Sequence, residues 1–237
     1  GHQTLTLAYT QTGSGPPMLL LHGLGLSRKS WQKNLRFLEQ RGTVYALDLP
    51  GFGQSEAPEQ VWSTRQLAEV VFAFLRTLGL ASVVAIGHSL GGEVCLWLAY
   101  LYPSCTKALI LAATPGIAPA PAPWKRLLGL ALDVFLEPPL FMPKLYAAYY
   151  QAGPYRVIRT LQKTDITPLL KNIQHIKLPV LLINGHLDPV VKVSEGRLWC
   201  QRLSGADTRV IQASHGLIFS QPEAFNQTCT DFLLKNL

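Results

Sequence analysis

The sequence predicts an α/β fold, a mostly parallel central sheet covered by helices on both faces. Three observations carry that expectation. Short apolar runs (Met18–Leu21, Val44–Leu47, Val83–Ile86, Ala108–Ala112 and Val180–Ile183) are uninterrupted by polar residues, as in strands buried on both faces. Stretches with apolar residues at helical spacing lie between them, and strand alternating with helix is the pattern of parallel strands joined by crossovers. The third is the turn Gly87-His88-Ser89-Leu90-Gly91-Gly92, which joins a buried-strand run directly to an apolar helical stretch, Val94–Leu101.

Composition sets the frame for the elements. A chain of 237 residues, 48% of them hydrophobic, is long enough for one domain with a substantial core. Its formal charge is +7, but charged residues make up only 15% of the chain, and no Lys/Arg run or basic-aromatic alternation occurs, so a nucleic-acid partner is not expected. No apolar run reaches spanning length, so no transmembrane segment is expected. The four cysteines (Cys95, Cys105, Cys200 and Cys229) lack metal-ligand spacing, and no motif calls for a metal or cofactor. Buried free thiols suit a reducing cytoplasm, the expected location, and leave a Cys200–Cys229 bridge open. No signal-peptide pattern is present, and Gly1-His2 in place of Met reads as an expression remnant.

Taken in order, Thr4–Tyr9 alternates apolar and polar residues and predicts an edge strand. Met18–Leu21 follows a Gly/Pro turn and ends in His22-Gly23-Leu24-Gly25, where backbone amides can face a ligand. Ser30–Gln40 reads as a helix with Trp31, Leu35 and Leu38 on one face. Val44–Leu47 leads into a long turn from Asp48 to Ser55, in which Asp48 is expected to bond local amides rather than do chemistry. Leu67, Val71, Phe74 and Leu78 mark an amphipathic helix, with a capping box of Ser63 and Gln66 before it. The helix after the 87–92 turn is apolar nearly all round and stops at Pro103.

After Ala108–Ala112 the pattern changes. Residues 114–168 hold nine of the seventeen prolines, no buried-strand run, and three pieces rich in large apolar residues: Trp124–Leu136, Leu140–Tyr150 and Tyr155–Leu161. A helical insertion after a parallel strand lies over the strands' carboxyl ends, where ligands bind in open α/β sheets. The chain therefore divides into a core, 1–113 and 169–237, and a helical cap, 114–168. The cap carries six basic residues (Lys125, Arg126, Lys144, Arg156, Arg159 and Lys163) against Asp133, Glu137 and Asp165. Arg156, Arg159 and Lys163 share one stripe of a helix and are expected to face water, opposite an apolar arc of Val157, Ile158 and Leu161. Val180–Ile183, a helix over Lys192–Leu203, a short strand at Thr208–Ile211 and a final helix, capped by Ser220, complete the series.

Three residues then stand just beyond the ends of predicted strands: Ser89, Asp188 and His215. A serine hydroxyl needs a base to take its proton and a turn that presents it. A strained strand-to-helix turn with glycines on either side does the presenting, and the amide of Leu90, at a helix N-terminus, points at a developing oxyanion. The amide of Leu24 is the candidate second donor. His215 is the candidate base and Asp188 the residue that orients it. His88, His22, His186 and Glu93 are decoys, expected to shape backbone, pack nearby or sit favourably at a helix N-terminus.

With these motifs, and in this order, the chain resembles the α/β-hydrolase superfamily, in the group of carboxylesterases, C–C bond hydrolases and related lyases with a helical cap. The resemblance rests on residues 22–25, 48–55, 87–92, 185–191 and 214–225. It implies an α/β-hydrolase fold with the cap inserted before the strand that leads to the catalytic Asp. Two departures stand out: Ser214 occupies the place of a usual Gly before the His, and Ser220 that of a frequent acid. The expected activity is cleavage of a small, largely apolar carboxylic ester by a serine nucleophile, without metal or cofactor. The alternatives are a keto-acid C–C hydrolase or lyase using the same three residues, and a non-catalytic binding protein on this scaffold.

Overall fold

A computed structural model describes residues 4–117, 123–137 and 139–236, with the side chains of Pro123, Arg126, Leu127 and Leu140 outside the description. The reading of Gly1-His2 falls outside it, as does the 118–122 part of the predicted cap. Among the described residues, seven strands form one sheet: β1 (Tyr9–Thr12), β2 (Pro17–Leu21), β3 (Thr43–Leu47), β4 (Val83–His88), β5 (Thr106–Ala112), β6 (Val180–Gly185) and β7 (Ala206–Ile211). Their spatial order is β1-β3-β2-β4-β5-β6-β7, all parallel except β1, which runs antiparallel to β3.

The uninterrupted apolar runs are explained by two cores, one on each face. In β2, Leu19 and Leu21 enter one core while Met18 and Leu20 enter the other. The first is covered by α2 (Thr64–Thr77), α3 (Leu90–Leu101) and α8 (Val193–Arg202), through Leu67, Val71, Val94, Leu98 and Trp199. The second is covered by α1 (Gln32–Leu38), with Trp31 just before it, and by α10 (Pro222–Asn236), through Leu38, Phe225, Cys229 and Phe232. The predicted capping box is present, Gln66 N–H donating to Ser63 Oγ at 3.3 Å and Ser63 N–H to Gln66 Oε1 at 3.0 Å.

Between β5 and β6 the chain forms α4 (Pro123–Val134), α5 (Met142–Ala152), α6 (Pro154–Lys163) and the short α7 (Thr167–Leu170). A four-residue α9 (Leu217–Ser220) precedes α10. Among the described residues no helix is long and apolar enough to cross a membrane. The four cysteines are free thiols, Cys200 half-buried and the others buried, so the open Cys200–Cys229 bridge is not formed.

Three expectations need correction. The edge strand is Tyr9–Thr12, not Thr4–Tyr9, because β3 ends at Leu47, the partner of Tyr9. The preceding residues instead bond the 48–56 turn, with Thr6 N–H on the Glu56 carboxylate and Glu56 N–H on the Thr6 carbonyl, both at 2.9 Å. Ser220 does not cap the final helix. It ends α9, and its hydroxyl donates to the Gly216 carbonyl four residues back at 3.1 Å. The stripe of α6 is not simply solvated: Arg159 is exposed, but Arg156 and Lys163 donate to the carbonyls of Pro58 (3.3 Å) and Val61 (2.6 Å), fastening the helix to that loop.

Candidate active site

The strand order reverses between β2 and β4, and a crevice opens beyond the carboxyl ends of strands at such a switch point. Leu21 of β2 pairs with Gly87 of β4, so the turns that follow them, 22–25 and 88–91, are neighbours. This brings Leu24 and Leu90 to one cavity although they are distant in sequence.

Ser89 sits between β4 and α3 at φ 51°, the left-handed region, a conformation that costs a non-glycine residue about 1–3 kcal/mol. Packing over-determines it. Its N–H donates to the Ala112 carbonyl at 2.8 Å, and Val94 and Leu98 of α3 are fully buried, each worth about 1.5–3 kcal/mol. The flanking glycines are needed for close approach: a β-carbon at Gly87 would overlap the Gly91 carbonyl, and one at Gly91 would overlap that of Leu21.

Asp188 and His215 arrive on the loops after β6 and β7, which are knitted together by His186 N–H to Ile211 O (2.8 Å) and Leu187 N–H to Ala213 O (3.0 Å). His215 lies 2.9 Å from both partners, through Nδ1 to Asp188 Oδ2 and through Nε2 to Ser89 Oγ. The Asp188 carboxylate is oriented by Val190 N–H (2.7 Å) and Val191 N–H (2.9 Å), both on Oδ1. A carboxylate only accepts, so Nδ1 carries the proton, and the bare Nε2 can accept from the serine hydroxyl. All three residues are buried. Burial disfavours the charged ring, but the charges of Asp188, Asp133 and Glu137 outweigh it and raise the His215 pKa above its ordinary 6.5.

The cavity above Ser89 has a volume of about 570 Å³ and is walled mainly by apolar residues of the insertion, among them Leu130, Val134, Leu145, Val157 and Leu161. Tyr149 of α5 packs against Gly25. Among the described residues no lysine or arginine lines the cavity, while Glu93, Asp133 and Glu137 do. No group of residues suited to hold a metal occurs among the described residues.

His22, His88 and Asp48 have structural work. Leu49 N–H donates to His22 Nε2 at 3.0 Å, so Nδ1 carries the proton and donates to the Gly23 carbonyl at 2.8 Å, holding the 22–25 turn to the end of β3. His88 Nε2 donates to the His215 carbonyl at 2.9 Å, and burial, with His215 nearby, pushes its pKa down to about 3. Asp48 accepts from the N–H groups of Arg28 (2.6 Å) and Gln54 (2.9 Å) and pairs with the Arg28 guanidinium. His186, expected to pack nearby, is exposed, because its turn uses the backbone amide and turns the ring outward.

Sequence reasoning missed Asp133 and Glu137. Both are buried and come from the α4 region, and both bond the loop that carries His215. The available signal was two acids four residues apart in an otherwise apolar helical stretch.

A family model described as alpha/beta hydrolase fold matches residues 16–148. A 3-oxoadipate enol-lactonase from Acinetobacter baylyi is 27% identical over 247 residues, spanning 94% of this chain and 91% of its own. A thermophilic esterase from Thermogutta terrifontis superposes with a TM-score of 0.85 at 25% identity, covering 98% of this chain and 94% of that one. The enol-lactonase of Burkholderia xenovorans LB400 gives 0.87 at 24% identity, with 97% of each chain covered, a likeness of fold.

Proposed function

Because the chain belongs to the alpha/beta hydrolase family, we propose that it is a serine hydrolase cleaving a small, largely apolar carboxylic ester through an acyl-enzyme. The observation that carries this is the pair of 2.9 Å bonds linking Ser89, His215 and Asp188, with Ser89 and His215 lining an apolar cavity. Ser89 Oγ attacks the ester carbonyl as its proton passes to His215 Nε2. The oxyanion is received by the N–H groups of Leu24 and Leu90, donors of a kind worth about 10²–10³ in rate each. Collapse expels the alcohol, which takes the proton from His215. Water, deprotonated by the same nitrogen, then releases the acid and restores Ser89. Residues 114–168 act as the cap that shapes the acyl site and excludes water from it.

The competing reading takes its support from the enol-lactonase relative and gives the same residues a carboxylate-bearing lactone or keto acid. Electrostatics argue against it: a substrate carboxylate would enter a low-dielectric space lined by three carboxyl groups and, among described residues, by no lysine or arginine. A non-catalytic binder has no use for a base aligned on a serine.

A panel of p-nitrophenyl esters of graded chain length, assayed beside a carboxylate-bearing lactone and a vinylogous keto acid, tests the reading. Neutral acyl esters are expected to give the highest kcat/KM, and Arg159→Ala to change it by less than about threefold, as for an exposed charge. A winning carboxylate substrate, with a tenfold or larger rise in KM in Arg159→Ala, would replace the ester by the keto acid.

The pH profile follows from the raised His215 pKa. Below it the ring is protonated and cannot accept the Ser89 proton; above it the base is free. The rate on a neutral ester therefore rises with pH through a midpoint above 6.5 and then levels off. Full activity held flat from about pH 5 to 8 would remove a histidine base from the mechanism.

A further inference from the structure

The loop that delivers His215 is held from above by the insertion. His215 N–H donates to Asp133 Oδ1 at 2.8 Å, Gly216 N–H donates to Glu137 Oε1 at 3.0 Å, and the Ser214 hydroxyl donates to the same Oε1. Ser214, His215, Asp133 and Glu137 are all buried. Gly216 has no room for a β-carbon, which would meet Glu137 Oε1 and the Phe219 ring, so the carboxylate lies flush on the backbone. None of these bonds belongs to the elbow, to Asp188 or to the oxyanion turns.

We propose that Asp133 and Glu137 are positioning residues: they clasp residues 214–216 so that the insertion aims the His215 ring at Ser89 and adds negative charge beside it. The inference deepens the serine-hydrolase reading and rests on it for its kinetic consequences. It also gives Ser214 a reason. A glycine there would leave Glu137 with one bond to the loop, that from Gly216 N–H, where the serine hydroxyl adds a second, so this departure from the family pattern is matched to an acid that the insertion provides.

The clasp is also titratable. Burial pushes the Asp133 carboxyl up, and burial together with the Asp133 charge pushes that of Glu137 up to about 7. The groups facing the pair are His215 and Ser214 on the clasped loop, Asp188 after β6, and Tyr149 of α5, whose phenol is held up to about 12 by burial and the Asp133 charge. As pH rises through about 7, Glu137 gains charge, accepts more strongly from Ser214 and Gly216, and favours the protonated His215 ring.

The test compares Glu137→Ala, Glu137→Gln, Ser214→Ala and the double variant Glu137→Ala/Ser214→Ala, using p-nitrophenyl ester kinetics from pH 5 to 9. Glu137→Ala is expected to lower kcat about tenfold or more. Glu137→Gln keeps an acceptor oxygen for the loop and should recover most of that loss, yet shift the acid limb of kcat/KM to lower pH, because the charge that raised the His215 pKa is gone. The double variant should be no worse than Glu137→Ala, since the hydroxyl acts through the carboxylate. Unchanged kcat in Glu137→Ala, an unmoved acid limb in Glu137→Gln, or losses that multiply in the double variant would each overturn the clasp. A second readout separates this from the function itself. The His215 imidazole titration, followed by proton NMR in wild type and Glu137→Gln, should show a lower midpoint in the variant. That shift supports the clasp even if the wild type turns over no ester. Equal midpoints overturn it whatever the activity.

Discussion

Replacing Ser89 by alanine is expected to lower kcat on the best neutral ester by about 10⁶-fold while leaving the fold intact. The size follows from the way the three residues act as a unit. Without the oxygen there is no acyl-enzyme, and His215 has no bound hydroxyl to deprotonate. What remains is binding and oxyanion stabilisation, worth about 10³–10⁴ over water in related sites. The alanine also keeps the strained φ of 51° without a hydroxyl to present, and the packing of α3 against β4 is unaltered, so the circular-dichroism melt should stay close to wild type. A kcat within tenfold of wild type would move the nucleophile to another residue.

Asp188→Asn is the second large effect, expected at about 10⁴-fold in kcat with little change in KM. The reason is specific to how this carboxylate is held. Oδ1 already accepts from Val190 and Val191 N–H, so the substituted side chain must keep its carbonyl oxygen there and turn its NH₂ toward His215 Nδ1. An amide donor at Nδ1 forces the ring proton onto Nε2, which then faces the Ser89 hydroxyl as a donor and cannot take its proton. The loss should be of rate rather than of structure, checked by steady-state kinetics beside a thermal melt. Near-wild-type rates would show that the orienting acid has been misassigned, with Glu93, which lines the cavity, as the next candidate.

Much of this site is written in short-range patterns. The buried strands β2, β4, β5 and β6 read as continuous apolar runs because both their faces are covered, and the elbow reads as glycines on either side of a serine because strand and helix touch there. Asp188 and His215 stand out in the sequence by their places just past predicted strand ends, and the structure bonds His215 to both Asp188 and Ser89. What local patterns miss is whatever depends on a partner elsewhere. The N-terminal strand is fixed by its register with β3 rather than by its own alternation, so its position shifted. Ser220 looked like a helix cap because the sequence does not show that a turn of α9 comes first. Asp133 and Glu137 meet the His215 loop across about eighty residues, and in their own stretch of chain, at and just after the end of α4, they register only as charges. The stripe of α6 likewise gave the right face for Arg159 but could not reveal the loop carbonyls that Arg156 and Lys163 reach.

The most direct measurement of the central claim, that Ser89 is an activated nucleophile, is covalent labelling with a fluorophosphonate followed by intact-mass and peptide mass spectrometry. Phosphonylation needs a serine whose proton is removed by a neighbouring base and an oxyanion site to receive the phosphoryl oxygen. The account predicts one adduct per chain, on Ser89, absent from Ser89→Ala and strongly slowed in Asp188→Asn. Folded wild-type protein that takes up no label, or takes it on a serine other than Ser89, would contradict it.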